Sequence, residues 1–243
     1  MVPAVSRAMQ EPALTAGEAL DLERDGACHV PGVAQSIMPQ LLAILEGCDA
    51  GRAGHRLNGL EGLAALLGPG HGPGAFVGRM AGQTMVPVRA VLFDKQADAN
   101  WSLGWHQDRT IVVRERRDVA GYGPWTVKQG LQHVEPPFPV IEAMLTLRLH
   151  IDAVDAANAP LLIVRGSHRT GRVPVGEIED VVARGKVHAC LARPGDGWLY
   201  RTPIVHASGP VVVEEQAAPR RRRVLQVDYA GAPLPVALEW LGI

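Results

Sequence analysis

The residues of this chain best suited to chemistry are His106 and Asp108, set two apart in Trp105-His-Gln-Asp108, and His206, one hundred positions later in Thr202-Pro-Ile-Val-His-Ala-Ser-Gly-Pro210. Alternate side chains of an extended strand share a face, so His106 and Asp108 project together while Gln107 points away. A distant strand then needs to supply only one more donor. Two imidazoles and a carboxylate on one octahedral face leave three positions open, which suits Fe(II) oxygen chemistry: two for a chelating co-substrate and one for O2. The long separation excludes a local metal loop such as a zinc finger.

A His-x-Asp alone recurs by chance, so the other seven of the nine histidines have to be weighed against His206. His168 follows a Gly-Ser turn and reads as a loop anchor. His133 falls in a loop, facing either the surface or a substrate. His206 differs, standing in an apolar strand context before the small residues Ala207-Ser208-Gly209 and shortly ahead of the basic run Arg220 to Arg223. That run reads first as a solvated charge cluster where a strand begins. One of its arginines, if it enters a barrel, would instead bind a dicarboxylate through a bidentate pair. A nucleic-acid surface would need interleaved aromatics and a basic excess, and the net charge is -1.

The elements that must position these residues follow from periodicity. Thr15-Ala-Gly-Glu18 has capping-box spacing, and Ser36 stands ready to cap a helix carrying Met38, Leu41, Leu42 and Leu45. Residues 24 to 33 hold a short strand between turns, and Leu60 to Leu67 is a short helix inside a glycine-rich segment, 51 to 74. Val86 to Phe93 reads as a strand, and Trp105 to Asp108 as one running on into Thr110-Ile-Val-Val113. Residues 114 to 139 read as a long loop, placed to act as a lid. From Met144 to Asp152 the chain alternates, with Leu145, Leu147, Leu149 and Ile151 against Thr146, Arg148, His150 and Asp152. Residues 161 to 164, 198 to 202 and 223 to 229 are further strands. Many short strands between Gly and Pro turns, after an opening stretch of helices, predict a mainly β fold. The expected architecture is a jelly-roll barrel of one domain over 1–243, with a helical layer at about 1–83 and the core at about 84–232.

Composition agrees with a globular chain: 47% hydrophobic and 20% charged, with no apolar run of membrane-spanning length. Cys28, Cys48 and Cys190 are scattered and read as reduced thiols. The N-terminus lacks the form of a secretory signal, so the expectation is a cytoplasmic protein with neither membrane nor nucleic acid as partner. Oligomeric state is not legible.

Four ordered segments resemble the phytanoyl-CoA dioxygenase-like branch of the Fe(II)/2-oxoglutarate oxygenases. They are Phe93-Asp-Lys95 through Trp105-His-Gln-Asp108, Asn158 through Gly166-Ser-His168, His206-Ala-Ser-Gly209, and Arg222-Arg-Val-Leu225. The segment Pro124 to Gly130, with His133 and Pro136-Pro137, is similar to bacterial members. The resemblance implies a double-stranded β-helix in which His106, Asp108 and His206 hold Fe(II). It implies that 2-oxoglutarate meets Arg222, seven residues before Tyr229, with Arg223 as the alternative if the strand phase shifts by one. It also implies co-substrate contacts from Ser208, Gln107 and Val91. The activity implied is hydroxylation of a C–H bond in a small molecule, consuming O2 and releasing succinate and CO2. Asp108 favours that outcome, since related halogenases leave this ligand position open for halide.

Arg148 stands where some members carry an aromatic residue. With His150 it lies on a polar strand face that points either into the pocket, toward an anionic substrate group, or out to water. Trp101, Trp105 and Trp125 either wall the pocket or serve as core. The competing readings are a differently metallated cupin without 2-oxoglutarate and a non-catalytic binding barrel.

Overall fold

The computed structural model describes residues 18–48, 54–70, 72–95, 101–210, 221–235 and 237–243. In chain order the elements are α1 (Leu22–Asp25), β1 (Ala27–Val30), α2 (Met38–Leu45), β2 (His55–Leu57), α3 (Leu63–Leu66), α4 (Gly72–Ala81), β3 (Val86–Lys95) and β4 (Leu103–His106). Then come β5 (Ile111–Val113), β6 (Trp125–Lys128), β7 (Leu131–Val134), α5 (Phe138–Glu142), β8 (Leu145–His150) and β9 (Leu161–Val164). The chain ends with α6 (Ile178–Arg184), β10 (Val187–Cys190), β11 (Gly197–Arg201), β12 (His206–Ser208) and β13 (Arg222–Ala230).

Alternation along these strands sorts the side chains into layers. A six-stranded antiparallel sheet runs β1-β11-β8-β13-β3-β2, and a four-stranded one runs β10-β9-β12-β4. Their facing sides meet through Trp198 and Tyr200 of β11 against Leu161 and Ile163 of β9 and Cys190 of β10. The other side of the large sheet, with Leu147, Leu149, Leu225 and Val227, is covered by Leu41 and Leu45 of α2, Leu63 of α3 and Val77 of α4. Each such fully buried leucine contributes about 1.5–3 kcal/mol. Helix α6 covers the small sheet, setting Ile178 and Val182 on Val164, Val187 and Val205. The expected jelly roll is present as two facing sheets, without the hydrogen-bonded closure of a barrel among the described residues.

Several local expectations are corrected. Thr15 lies outside the described residues, and α1 is capped instead by Asp21, whose carboxylate accepts from the Glu23 and Arg24 amides. Ser36 sits in a short 3-10 turn and caps nothing, because α2 begins after Ile37 with Pro39 in its first turn. The opening region is not purely helical, since β1 and β2 form the two edges of the large sheet. The strand through Trp105 stops at His106 rather than running on to Val113.

The 114–139 segment is the largest correction. It contains the β6–β7 hairpin, paired through β7 with β5 in a third sheet, followed by α5. The connection is only Gln129-Gly130, with φ of 51° and 80°. Both residues are left-handed, as the tight hairpin turn that matches strand twist requires. Glutamine in place of the usual asparagine hid that turn.

Candidate metal centre

His106 ends β4, His206 begins β12, and the two are register partners on neighbouring strands. Their ring centroids are 4.2 Å apart. Asp108 follows two residues beyond the strand end, and one donor atom from each of the three lies within 4.8 Å of the others. Both imidazoles are held in the same way. His106 Nδ1 donates to Gly104 O at 2.7 Å and His206 Nδ1 to Ile204 O at 2.9 Å. A proton fixed on Nδ1 leaves the Nε2 lone pair free, as a metal ligand requires. Burial, and then His106, push His206 down to about 3, so its ring is neutral.

Asp108 is tuned in the opposite sense. Burial works to raise its carboxyl, but Arg89, then His206 and His106, hold it well below the usual carboxylate range. Arg89 bridges two acids: its Nε is in close contact with Asp228, and its Nη2 lies 3.3 Å from Asp108. Gln226 Nε2 approaches the same Asp108 oxygen at 3.4 Å.

The remaining expected residues separate by position. Gln107 uses its side chain on backbone, donating to Gly171 O and Pro203 O and accepting from Val173 N, so it braces the 171–173 segment beneath the site. Val91 lines a cavity of about 500 Å³ together with Phe93, Trp101, His106, Asp108, Arg148 and His206. Arg222 is buried and in register with Lys95, whereas Arg223 forms a bidentate pair with Asp152. Arg221 pairs with Asp94, and Arg220 lies outside the described residues. The polar face of β8 turns inward: Arg148 and His150 are both buried. Trp125 faces away from the cavity, because it pairs with Val134 on the apolar side of the hairpin and packs there under Arg116. Trp105 packs in the α6 cluster, leaving Trp101 as the tryptophan on the cavity wall.

Beyond the donor set lies a cluster of buried polar side chains, called here the chamber. Arg222 Nε and Nη2, Arg148 Nη1 and both ring nitrogens of His150 are buried with no hydrogen-bond partner among the described residues. Lys95 Nζ lies 3.2 Å from Ser208 Oγ and 2.5 Å from Gly209 O. Burial, then Arg222 and Arg148, push this amine down to about 7. Burial pushes His150 down to about 3, with Arg222 and Arg148 adding to the effect. Buried cations without counter-charge are costly unless a ligand supplies it. Lys95, Arg89 and Gln226 were not singled out in the sequence. The signal for Lys95 and Arg89 was strand phase, since residues 89, 91, 93 and 95 share one face of β3.

The phytanoyl-CoA dioxygenase (PhyH) family model matches residues 71–216, more than half of the sequence and all of the donor set. The chain belongs to the phytanoyl-CoA dioxygenase family. It is accordingly an Fe(II)- and 2-oxoglutarate-dependent oxygenase, an enzyme class that acts on small molecules with O2. No curated protein matches it in sequence. Solved structures share the family member's fold. The non-haem α-ketoglutarate-dependent carbocyclase SnoK from nogalamycin biosynthesis is 15% identical at a TM-score of 0.60, covering 91% of this chain and 85% of its own. Apo EctD from S. alaskensis is 16% identical at 0.59, with 96% and 86% covered. HygX from Streptomyces hygroscopicus, bound to nickel, 2-oxoglutarate and hygromycin B, is 16% identical at 0.56, with 86% and 84% covered. The residues of this family member fit the implied groups, two imidazoles whose Nδ1 atoms are held by backbone carbonyls and an ionised carboxylate for the metal, and buried cations beside them for a dicarboxylate. Among the described residues no helix is long and apolar enough to cross a membrane.

Proposed function

We propose that this protein hydroxylates a C–H bond of a small molecule, with His106, Asp108 and His206 holding Fe(II). In this reading Arg222, with Lys95 and Ser208 beside it, receives the distal carboxylate of 2-oxoglutarate. The observation that carries it is the pairing of a preset donor triad with buried guanidinium nitrogens of Arg222 and Arg148 that have no hydrogen-bond partner among the described residues. A metal-binding cupin without a dicarboxylate would leave these cations without a role.

When bound, the metal and co-substrate supply an oxidant made from O2, with succinate and CO2 released. The chain's own part is positioning and exclusion of water. The carbonyls of Gly104 and Ile204 fix the imidazole tautomers, and Arg89 keeps Asp108 ionised. Trp101 lies over the Lys95 amine at 5.2 Å and screens the chamber. Val91 forms part of the cavity wall, and Arg148 bridges chamber and cavity. Asp108 fills the carboxylate position, so hydroxylation is the expected outcome.

The test is anaerobic addition of Fe(II) and 2-oxoglutarate, which should give a weak visible charge-transfer band, and aerobic turnover, which should give succinate above background. Absence of both would reject the enzyme reading. His106→Ala and Asp108→Ala should each abolish turnover with the circular dichroism spectrum unchanged. Full activity in either would overturn the ligand assignment.

A further inference from the structure

The cavity carries a second set of cations, away from the chamber assigned to 2-oxoglutarate. Five cationic residues line it, Arg56, Arg89, Arg109, Lys128 and Arg148, against one acid, Asp108. Three of the five are engaged. Arg89 is held by Asp228 and Asp108, Arg109 donates to the Val173 carbonyl, and Arg148 Nε donates to Gln226. Arg56 and Lys128 have no acidic partner among the described residues, and Arg56 Nε is a buried atom with no hydrogen-bond partner.

These two cations come from different elements brought together by one tie. Arg56 is on edge strand β2, opposite Val91. Lys128 ends β6, where the turn residue Gln129 accepts from Arg56 N at 3.0 Å and donates to Gly54 O at 2.7 Å. Register places Lys128 and Leu131 opposite each other, and Thr126 opposite His133, so Lys128 and His133 share the hairpin face turned from the apolar cluster. His133 is fully buried, and its Nδ1 donates to Leu131 O at 3.0 Å. Arg56 and Lys128 both line the cavity without an acidic partner among the described residues, and the buried Arg56 Nε is a donor in want of an acceptor. Apart from burial, which acts on both amines, Lys128 is influenced by Arg56, Arg89 and Asp108, whereas Lys95 is influenced by Arg222 and Arg148.

We propose that the prime substrate is a small molecule bearing a carboxylate or phosphate, and that Arg56 and Lys128 grip this group at the cavity mouth. The bond to be oxidised then lies inward, toward His106, Asp108 and His206. The inference rests on the oxygenase reading above and names the chemical class of its substrate. Two cations from separate elements converging on one oxyanion give orientation as well as affinity. They also draw acids toward an opening that holds little negative charge.

The test uses the protein loaded with Ni(II) and saturating 2-oxoglutarate, so that the inner chamber is filled. Inorganic phosphate and acetate are titrated separately by calorimetry, and the tighter of the two identifies the acid type. Saturable binding is expected, at least tenfold weaker in Lys128→Gln and in Arg56→Gln, with 2-oxoglutarate affinity unchanged in both. No saturable binding of either anion, or binding equal in wild type and Lys128→Gln, would overturn the proposal. A wild-type protein that fails to bind 2-oxoglutarate would instead remove the reading beneath it. In turnover, small acids should stimulate succinate release over their methyl esters, a preference that Lys128→Gln abolishes; equal stimulation by acids and esters counts against the site.

Discussion

At Gln226 the two ends of one amide are sorted by charge. Its oxygen accepts from Arg148 Nε at 3.2 Å and Tyr200 OH at 3.4 Å, and its nitrogen donates toward Asp108 and Asp228. The amide thus separates the cationic chamber from the acidic side of the metal site without adding charge to either. Lys95 shows the cost of the chamber. Its proton affinity in the folded chain is depressed to about 7 from the ordinary 10.5, chiefly by burial. Between those values the unfolded chain binds the proton and the folded chain does not, so stability rises with pH across this window. Below about 7 that contribution is fully lost. Lys95→Met should flatten the rise and stabilise the unliganded protein by roughly 1–2 kcal/mol, while weakening 2-oxoglutarate binding. Chemical denaturation at pH 7 and pH 9, beside a 2-oxoglutarate titration, reads both effects. A substitution that left pH dependence and affinity untouched would remove Lys95 from the chamber.

The elements were legible wherever apolar period and turn chemistry agreed. The alternation at 144–152 gave β8 and its polar face, though not which way that face turned, and the run at 86–93 gave most of β3. What stayed hidden depended on contacts between distant segments. Asp108 was expected on the same strand as His106, yet it comes from the irregular chain after β4, held by Arg89 and Gln226 of the other sheet. The triad itself was legible as residue types and spacing, whereas its support was not, because Arg89 and Gln226 lie in strands that read as ordinary. The hairpin at 125–134 was hidden by its Gln129-Gly130 turn. Gln129 holds that hairpin to β2 by two backbone contacts, each worth about 1 kcal/mol at most in water. Gln129→Ala should therefore speed amide hydrogen exchange across 125–134 by roughly tenfold while exchange in β8 and β13 stays constant. Unchanged exchange in the hairpin would show that the tie is not what seats it.

Across the whole molecule the candidate metal centre spans two layers. His106 and His206 belong to the small sheet, and Asp108 is tied through Arg89 and Gln226 to the large one. A bound divalent ion would join layers that no strand pairing closes among the described residues. Ligand that binds only the folded state stabilises it by about 2.7 kcal/mol at one hundred times its dissociation constant. Ni(II) should therefore raise the melting temperature, with reversal by chelator and no rise in Asp108→Ala. A rise that persisted in that variant would place the ion elsewhere.

The unpartnered guanidinium of Arg222 has a consequence for the protein's persistence in a cell. Beyond burial, Arg222 and Arg148 lower the proton affinity of Lys95, and Arg148 that of Arg222, a self-repulsion that a dicarboxylate bound among them would relieve. Protease digestion that proceeds through transient opening should slow in proportion to added 2-oxoglutarate, and Arg222→Met should resist digestion without it. The half-life of the chain then becomes a record of how well it has been supplied.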